Sequence, residues 1–185
     1  MLFLRYLLNL FIIQFNELTI TQLKMFTQYK NLPDNSRVWI YQSDRVFIEK
    51  DIEFISAKAV EFINQWTRHG EGLKGSFTIK YNQFLLLAVD ESFNSISGCS
   101  IDSSVRFIKE LETELKIDLM NKMNITYKDN EVVNLVKLSD FQTLVKENSV
   151  TPETIVFNNM VATKADFENN WEIQAKESWH KRFLV

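Results

Sequence analysis

The chain has 185 residues, a formal net charge of −3, 45% hydrophobic residues, 15 Phe and a single Cys. That length folds as one domain burying about 70% of its unfolded surface, and the hydrophobic content is too high and the charge too small for disorder. One cysteine excludes a disulfide framework, and with two histidines it leaves little for a zinc site. No metal and no cofactor is therefore expected. A pI of about 5.5 argues against a nucleic-acid partner, which would need clustered Lys and Arg.

Residues 1–24 read as an extension outside the fold. The uncharged stretch Tyr6–Asn16 is too short to span a bilayer, which takes about 20 apolar residues. Arg5 and the apolar run Leu7–Ile13 fit a signal peptide, but Gln14-Phe15-Asn16-Glu17 offers no small residue for cleavage. The segment lacks Gly, Ala, Pro, Asp and Val, and resembles translated AT-rich DNA. The expectation is a true start at Met25, one domain over residues 25–185 with an aromatic C-terminal tail, no membrane insertion and a cytoplasmic location. A retained anchor or signal and a native amphipathic helix are the alternatives.

Arg37–Gln42, β-branched and aromatic after the turn Pro33–Ser36, predicts a first strand. Ile52, Ile55, Ala59, Phe62, Ile63 and Trp66 form a helical stripe between Glu49 and His69, with Gly70 placed for a left-handed cap. Ser76–Tyr81 alternates, Asn82-Gln83 turns, and Phe84–Val89 is a continuous apolar strand. A second helix is predicted over about Asp102–Lys116, with Ser100 or Asp102 as N-cap. A hairpin follows, Met123–Lys128 with Val132–Leu138, turning at Asp129-Asn130. Ser139–Gln142 then reads as a capping box opening a short helix that Asn148 closes, and Thr154–Asn158 as a last strand.

The order β-α-β-β-α-β predicts an α+β fold with a ferredoxin-like (split βαβ) core, extended by a C-terminal hairpin, short helix and strand. Strands 37–42 and 84–89 are expected side by side and parallel at the sheet centre, with 76–81 at an edge. Their C-terminal loops would then meet, bringing Gln42, Ser43, Asp44 and Arg45 beside Asp90, Glu91, Ser97, Gly98, Cys99, Ser100 and Asp102 as a ligand-binding pocket. Backbone N–H groups at Ser97–Ser100 can hold an anion or simply be capped. Asp90-Glu91 can act as an acid/base pair or bind Mg²⁺, or be a solvated loop.

Cys99, just ahead of a helix N-terminus, is the candidate nucleophile or thiol sensor, with packing as the alternative. His69 is expected at the opposite end of the sheet from it. Gly70-Glu-Gly-Leu-Lys-Gly75-Ser76 has the Gly-x₄-Gly spacing of a phosphate loop, but Ser76 stands where the lysine belongs and the segment runs from helix to strand. The tail residues Trp171 and Trp179 can clamp a partner or pack on the sheet.

Five stretches carry a family resemblance: Asn31–Gln42 (Asn-Leu-Pro-x-x-Ser-Arg-Val-Trp-Ile-Tyr-Gln), Leu87–Ser92, Ser97–Asp102, Val156–Asn159 and Ala175–Leu184 (Ala-Lys-x-Ser-Trp-His-x-Arg-Phe-Leu). From Met25 onward the chain resembles a family of short bacterial proteins of unknown function, commonly labelled "ABC transporter ATPase". The label implies a nucleotide-hydrolysing subunit. This chain has neither the phosphate-loop lysine nor a Leu-Ser-Gly-Gly-Gln signature, and the resemblance carries over no catalytic residue. Gln174 replaces a proline the family tends to have, which implies an extended tail. The expected function is a non-enzymatic cytoplasmic module binding a protein or small ligand. A cysteine-dependent enzyme or thiol sensor at Cys99 and a transporter-associated ATPase are the alternatives.

Overall fold

The computed structural model describes residues 25–184, so the expectations for residues 1–24 lie outside the described residues. Strand β1 (Arg37–Gln42) leads into helix α1 (Glu49–Gln65), which runs back along the sheet. A small hairpin follows, β2 (Thr67–Arg68) and β3 (Glu71–Gly72). Gly70 (φ 86) and His69 (φ 49) sit in its turn, so Gly70 takes a left-handed conformation in a hairpin rather than as a cap of α1. Strand β4 (Gly75–Lys80) and strand β5 (Phe84–Val89) complete a sheet of order β1-β5-β4.

The expected parallel pairing is corrected. β5 does lie beside β1, but antiparallel to it, with Arg37 opposite Val89 and Gln42 opposite Phe84. The cause is geometric. α1 carries the chain back the length of the sheet, so β4 starts at the same end as β1 and runs the same way. The tight turn at Tyr81–Gln83 then forces β5 to run against β4, with Lys80 opposite Phe84. β5 fills the gap antiparallel to both neighbours. It is the central strand, β4 lies at an edge as expected, and β1 flanks β5 rather than sharing the centre.

β5 is buried along its whole length, which explains its unbroken apolar run. Leu85 and Leu87 face α1 and helix α2 (Gly98–Leu115), packing with Ile55, Ala59, Phe107, Ile108 and Leu111. Phe84, Leu86 and Ala88 face the other way, onto Phe157, Phe167 and Trp171 from the C-terminal half. Each buried Leu, Ile or Phe among them contributes about 1.5–3 kcal/mol by leaving water.

The C-terminal half builds a second antiparallel sheet from β6 (Asn124–Asp129), β7 (Val132–Lys137), β8 (Ile155–Phe157) and β9 (Glu172–Gln174), in the order β7-β6-β8-β9. The fold is thus α+β, but the fourth strand expected in the first sheet is β6, which pairs with β7 and β8 instead. Helix α3 (Leu138–Lys146) covers the second sheet through Phe141 and Val145, and helix α4 (Lys164–Asn170) packs Phe167 onto the first. The tail leaves β9 in 3₁₀ turns at Ala175–Glu177 and Trp179–Phe183, and Trp179, Phe183 and Leu184 pack around α3. Among the described residues, no helix is long and apolar enough to cross a membrane.

Caps differ from expectation in two places. α2 begins four residues early, because Ser97 is its N-cap and accepts from the Ser100 N–H at 3.3 Å. The capping box at Ser139 does not form. β7 stays paired with β6 through Lys137, and the Leu138 N–H bonds Met123 O at 2.8 Å, so the helix starts straight from the strand with Lys137 as N-cap. Asn148 does follow the end of α3 in a left-handed conformation (φ 57). Missed entirely was α4, capped by Thr163, whose Oγ accepts from the Asp166 N–H at 3.1 Å.

Candidate functional site

The antiparallel β1–β5 pair separates the residues expected to share a pocket. Ser43 lies at the end of β1 beside Gln83, its N–H donating to Gln83 O at 2.8 Å. Asp44 accepts from the Asp118 N–H at 3.1 Å. Arg45 donates to Asp51 at 2.5 Å and to the Leu115 carbonyl at 3.1 Å, tying the start of α1 to the end of α2. At the far end of β5, Asp90 accepts from the Ser92 hydroxyl and amide and from Lys74, and Glu91 lies 3.9 Å from Arg37. Burial alone would raise the Asp90 pKa, but the Ser92 and Lys74 contacts outweigh it and hold the carboxyl below its ordinary value.

Ser97, Gly98, Ser100 and the exposed Asp102 share the Asp90 end of the sheet, the first three in the opening turn of α2. Trp66 Nε1 donates to Ser100 O at 2.9 Å and Ser100 Oγ to Thr67 O at 3.1 Å, so the start of α2 meets the end of α1. His69 therefore lies at the same end as Cys99, not the opposite one, because the β2–β3 hairpin follows α1 there. Both are exposed, and no hydrogen bond joins them among the described residues. Gly70–Ser76 runs from the β2–β3 turn through β3 into β4, with no helix directly after it.

Sequence reasoning missed a concavity elsewhere in the fold. A cleft of about 510 Å³ opens between β1 and the second sheet. Ile40 and Gln42 line it from β1, and Leu119–Lys122, Asn124, Ile125 and Thr126 from β6 and the loop before it. Phe157, Asn159 and Met160 contribute from the end of β8, and Trp179, His180 and Arg182 from the tail. The size is that of a small-molecule site.

Three wall residues hold buried polar atoms without a partner: Gln42 Nε2, Asn124 Nδ2 and Thr126 Oγ1. Gln42 and Asn124 are each 6% exposed and Thr126 1%. Leaving such a group unpaired costs about 1–3 kcal/mol. The polarity of both amides is fixed by donors that cannot accept. Trp171 Nε1–H donates to Asn159 Oδ1 at 2.9 Å, so Asn159 Nδ2 donates to Gln42 Oε1 at 2.8 Å and leaves Gln42 Nε2 as the free end. Lys137 Nζ donates to Asn124 Oδ1 at 2.6 Å, leaving Asn124 Nδ2 free in the same way.

His180, 1% exposed, has Nδ1 2.8 Å from Ser178 Oγ and stacks on Trp179. Burial, with the Arg182 charge, pushes its pKa down to about 4, so the imidazole is neutral at neutral pH. Arg182 and Lys122 are exposed cations of the wall, and among the described residues no carboxylate lines the cleft. Among the described residues, no three metal-ligating side chains cluster. Against protein-family models, curated proteins and solved structures, the chain has no match.

Proposed function

We propose that this protein is a non-enzymatic binding module that holds a small molecule in the cleft between β1 and the second sheet. The observation that carries this is a cleft of about 510 Å³ with largely apolar walls, the size of a small-molecule site. Arg45 and Asp90 are occupied in tying elements together, which weighs against the two loop ends as the site. The exposed free thiol of Cys99 suits a reducing compartment, in keeping with a cytoplasmic protein.

A neutral, solvent-sensitive apolar dye tests the proposal. One equivalent is expected to bind with enhanced emission, and Met120→Trp, which fills the cleft from its half-buried wall position, abolishes the signal. A dye that fails to bind, or that binds the variant equally well, overturns it.

A further inference from the structure

We infer that the occupant of the cleft is a short, extended peptide, apolar with one acidic residue, that adds a strand to the outer edge of β1. This rests on the cleft being a binding site, and it concerns the backbone that borders it. Arg37 and Thr163 form an antiparallel bridge on that edge, with the Lys164 N–H donating to Ser36 O at 2.8 Å and the Val38 N–H to Ala162 O at 3.0 Å. The chain reaches Ala162 from a turn at residues 158–161, where the Val161 N–H bonds Asn158 O at 3.3 Å, and it pairs no further along β1.

Along an antiparallel strand the N–H and C=O groups of successive residues point alternately to its two neighbours. Those of Val38 point outward, so those of Ile40 do too, while Arg37, Trp39 and Tyr41 serve β5. Among the described residues, nothing pairs with the Ile40 N–H or C=O. Ile40 is half-buried and lines the cleft. So does Tyr41, although its side chain packs on the helix face and that of Ile40 on the opposite one. A cleft that touches both residues runs along the edge of the strand, where the backbone is offered.

An extended peptide there continues the pairing that Ala162 and Thr163 begin, with main-chain hydrogen bonds for affinity and alternate side chains entering the walls. Leu119, Ile125 and Phe157 make those walls apolar, and Met120 and Met160, the latter 76% exposed, adapt to side chains of different shape. Arg182 and Lys122 at the wall, with no carboxylate there among the described residues, favour an acidic residue over a basic one.

The test is affinity selection on the full-length chain from a pool of acetylated tetrapeptide amides, with Asp at the first or last position and Val, Ile, Leu or Phe elsewhere. The best binder is then titrated by calorimetry. Successive amides of an extended strand face opposite edges, so N-methylation of at least one of its two central amides is expected to weaken binding about tenfold or more. Lys in place of Asp is expected to weaken it several-fold. If both methylated peptides bind like the unmethylated one, edge pairing is overturned; if the Lys peptide binds equally well, the acidic assignment is. A pool that yields no binder while the neutral dye binds overturns the peptide and leaves the cleft as a binding site. Failure of the dye as well overturns the cleft itself.

Two variants locate the pairing. Ile40→Pro removes the outward N–H without touching the β1–β5 ladder, and an edge strand tolerates proline on that side. It is expected to weaken the selected peptide about tenfold or more while the dye still binds. Ile40→Val keeps the N–H and is expected to bind the peptide within about threefold of the parent. Unchanged peptide affinity in folded Ile40→Pro overturns the inference, as does an equal loss in Ile40→Val. If Ile40→Pro does not fold, the methylated peptides decide.

Discussion

The two faces of the β1-β5-β4 sheet are built to different standards. On the helix face, Leu85 and Leu87 meet α1 and α2 in a closed core, Arg45 bridges the helix ends, and Phe62 stacks on Phe107 at 4.5 Å. On the other face an aromatic cluster of Phe84, Phe157, Phe167 and Trp171 fills one part and the cleft occupies another. Apart from Arg68 Nε, the unpaired buried side-chain atoms among the described residues belong to the second face and the half that packs on it: Tyr29, Ser36, Gln42, Ser76, Asn124 and Thr126. The helix face has been optimised for stability, and the second face keeps polar groups whose cost folding alone does not recover.

The largest effect should separate the faces directly. Leu87→Ala, on the closed face and 0% exposed, is expected to cost about 2–5 kcal/mol in urea denaturation. Ile40→Ala, half-buried and already facing open space, should cost less than about 2 kcal/mol. Equal costs would break the comparison.

A second, smaller effect comes from pH. His180 has a folded pKa of about 4, below the unfolded value of about 6.5, so between these the unfolded chain binds more protons. Stability is therefore full above pH 6.5 and falls as pH drops toward 4, by at most about 3 kcal/mol. The lowered pKa values of Asp51 and Asp90 act only below the carboxylate range, leaving that window to His180. His180→Gln should flatten the profile of denaturation midpoint against pH. A parent protein equally stable at pH 6.5 and 4.5 would show that the second face does not shield its imidazole.

The smallest effect concerns how the second face is closed at the β4 side. Tyr81, in the β4–β5 turn, donates to Glu172 of β9 at 2.7 Å and accepts from Lys128 of β6 at 2.9 Å. The Glu172 and Tyr81 contacts outweigh the burial of Lys128 and raise its pKa. Tyr81 is 42% exposed. Tyr81→Phe is thus expected to cost only about 0.5–1.5 kcal/mol, read as a shift in urea midpoint at unchanged slope. A larger loss with an altered slope would mean that this latch, rather than the aromatic cluster, holds the second sheet in place.

What the sequence disclosed followed from how local each signal was. Phe84–Val89 was legible because a strand buried on both faces needs no alternation, and α1 because its stripe spans several turns. The direction of β5 against β1 depends on where α1 returns the chain, which no residue pattern states. α4 escaped because only Phe167 and Lys164 of its seven residues are buried, too few to show a period. The cleft was beyond reach for a stronger reason. Gln42 and Asn159, whose hydrogen bond sets its polarity, are 117 residues apart, and each amide alone looks like any other surface residue. Gln42 was named with Ser43, Asp44 and Arg45 for a pocket shared with the far end of β5, whereas the cleft it lines lies against the second sheet.

The bond from Trp171 through Asn159 to Gln42 has a consequence for how this protein can change. A primary amide turned over by 180° occupies the same space, so both orientations would otherwise be available to Gln42. The indole resolves that two-fold ambiguity although it does not line the cleft. A phenylalanine at position 171 would keep the aromatic packing and release both amides to turn over together, placing an oxygen where there was an N–H. The polarity of the second face can therefore be reversed from the aromatic cluster, by a substitution that leaves every wall residue of the cleft unaltered.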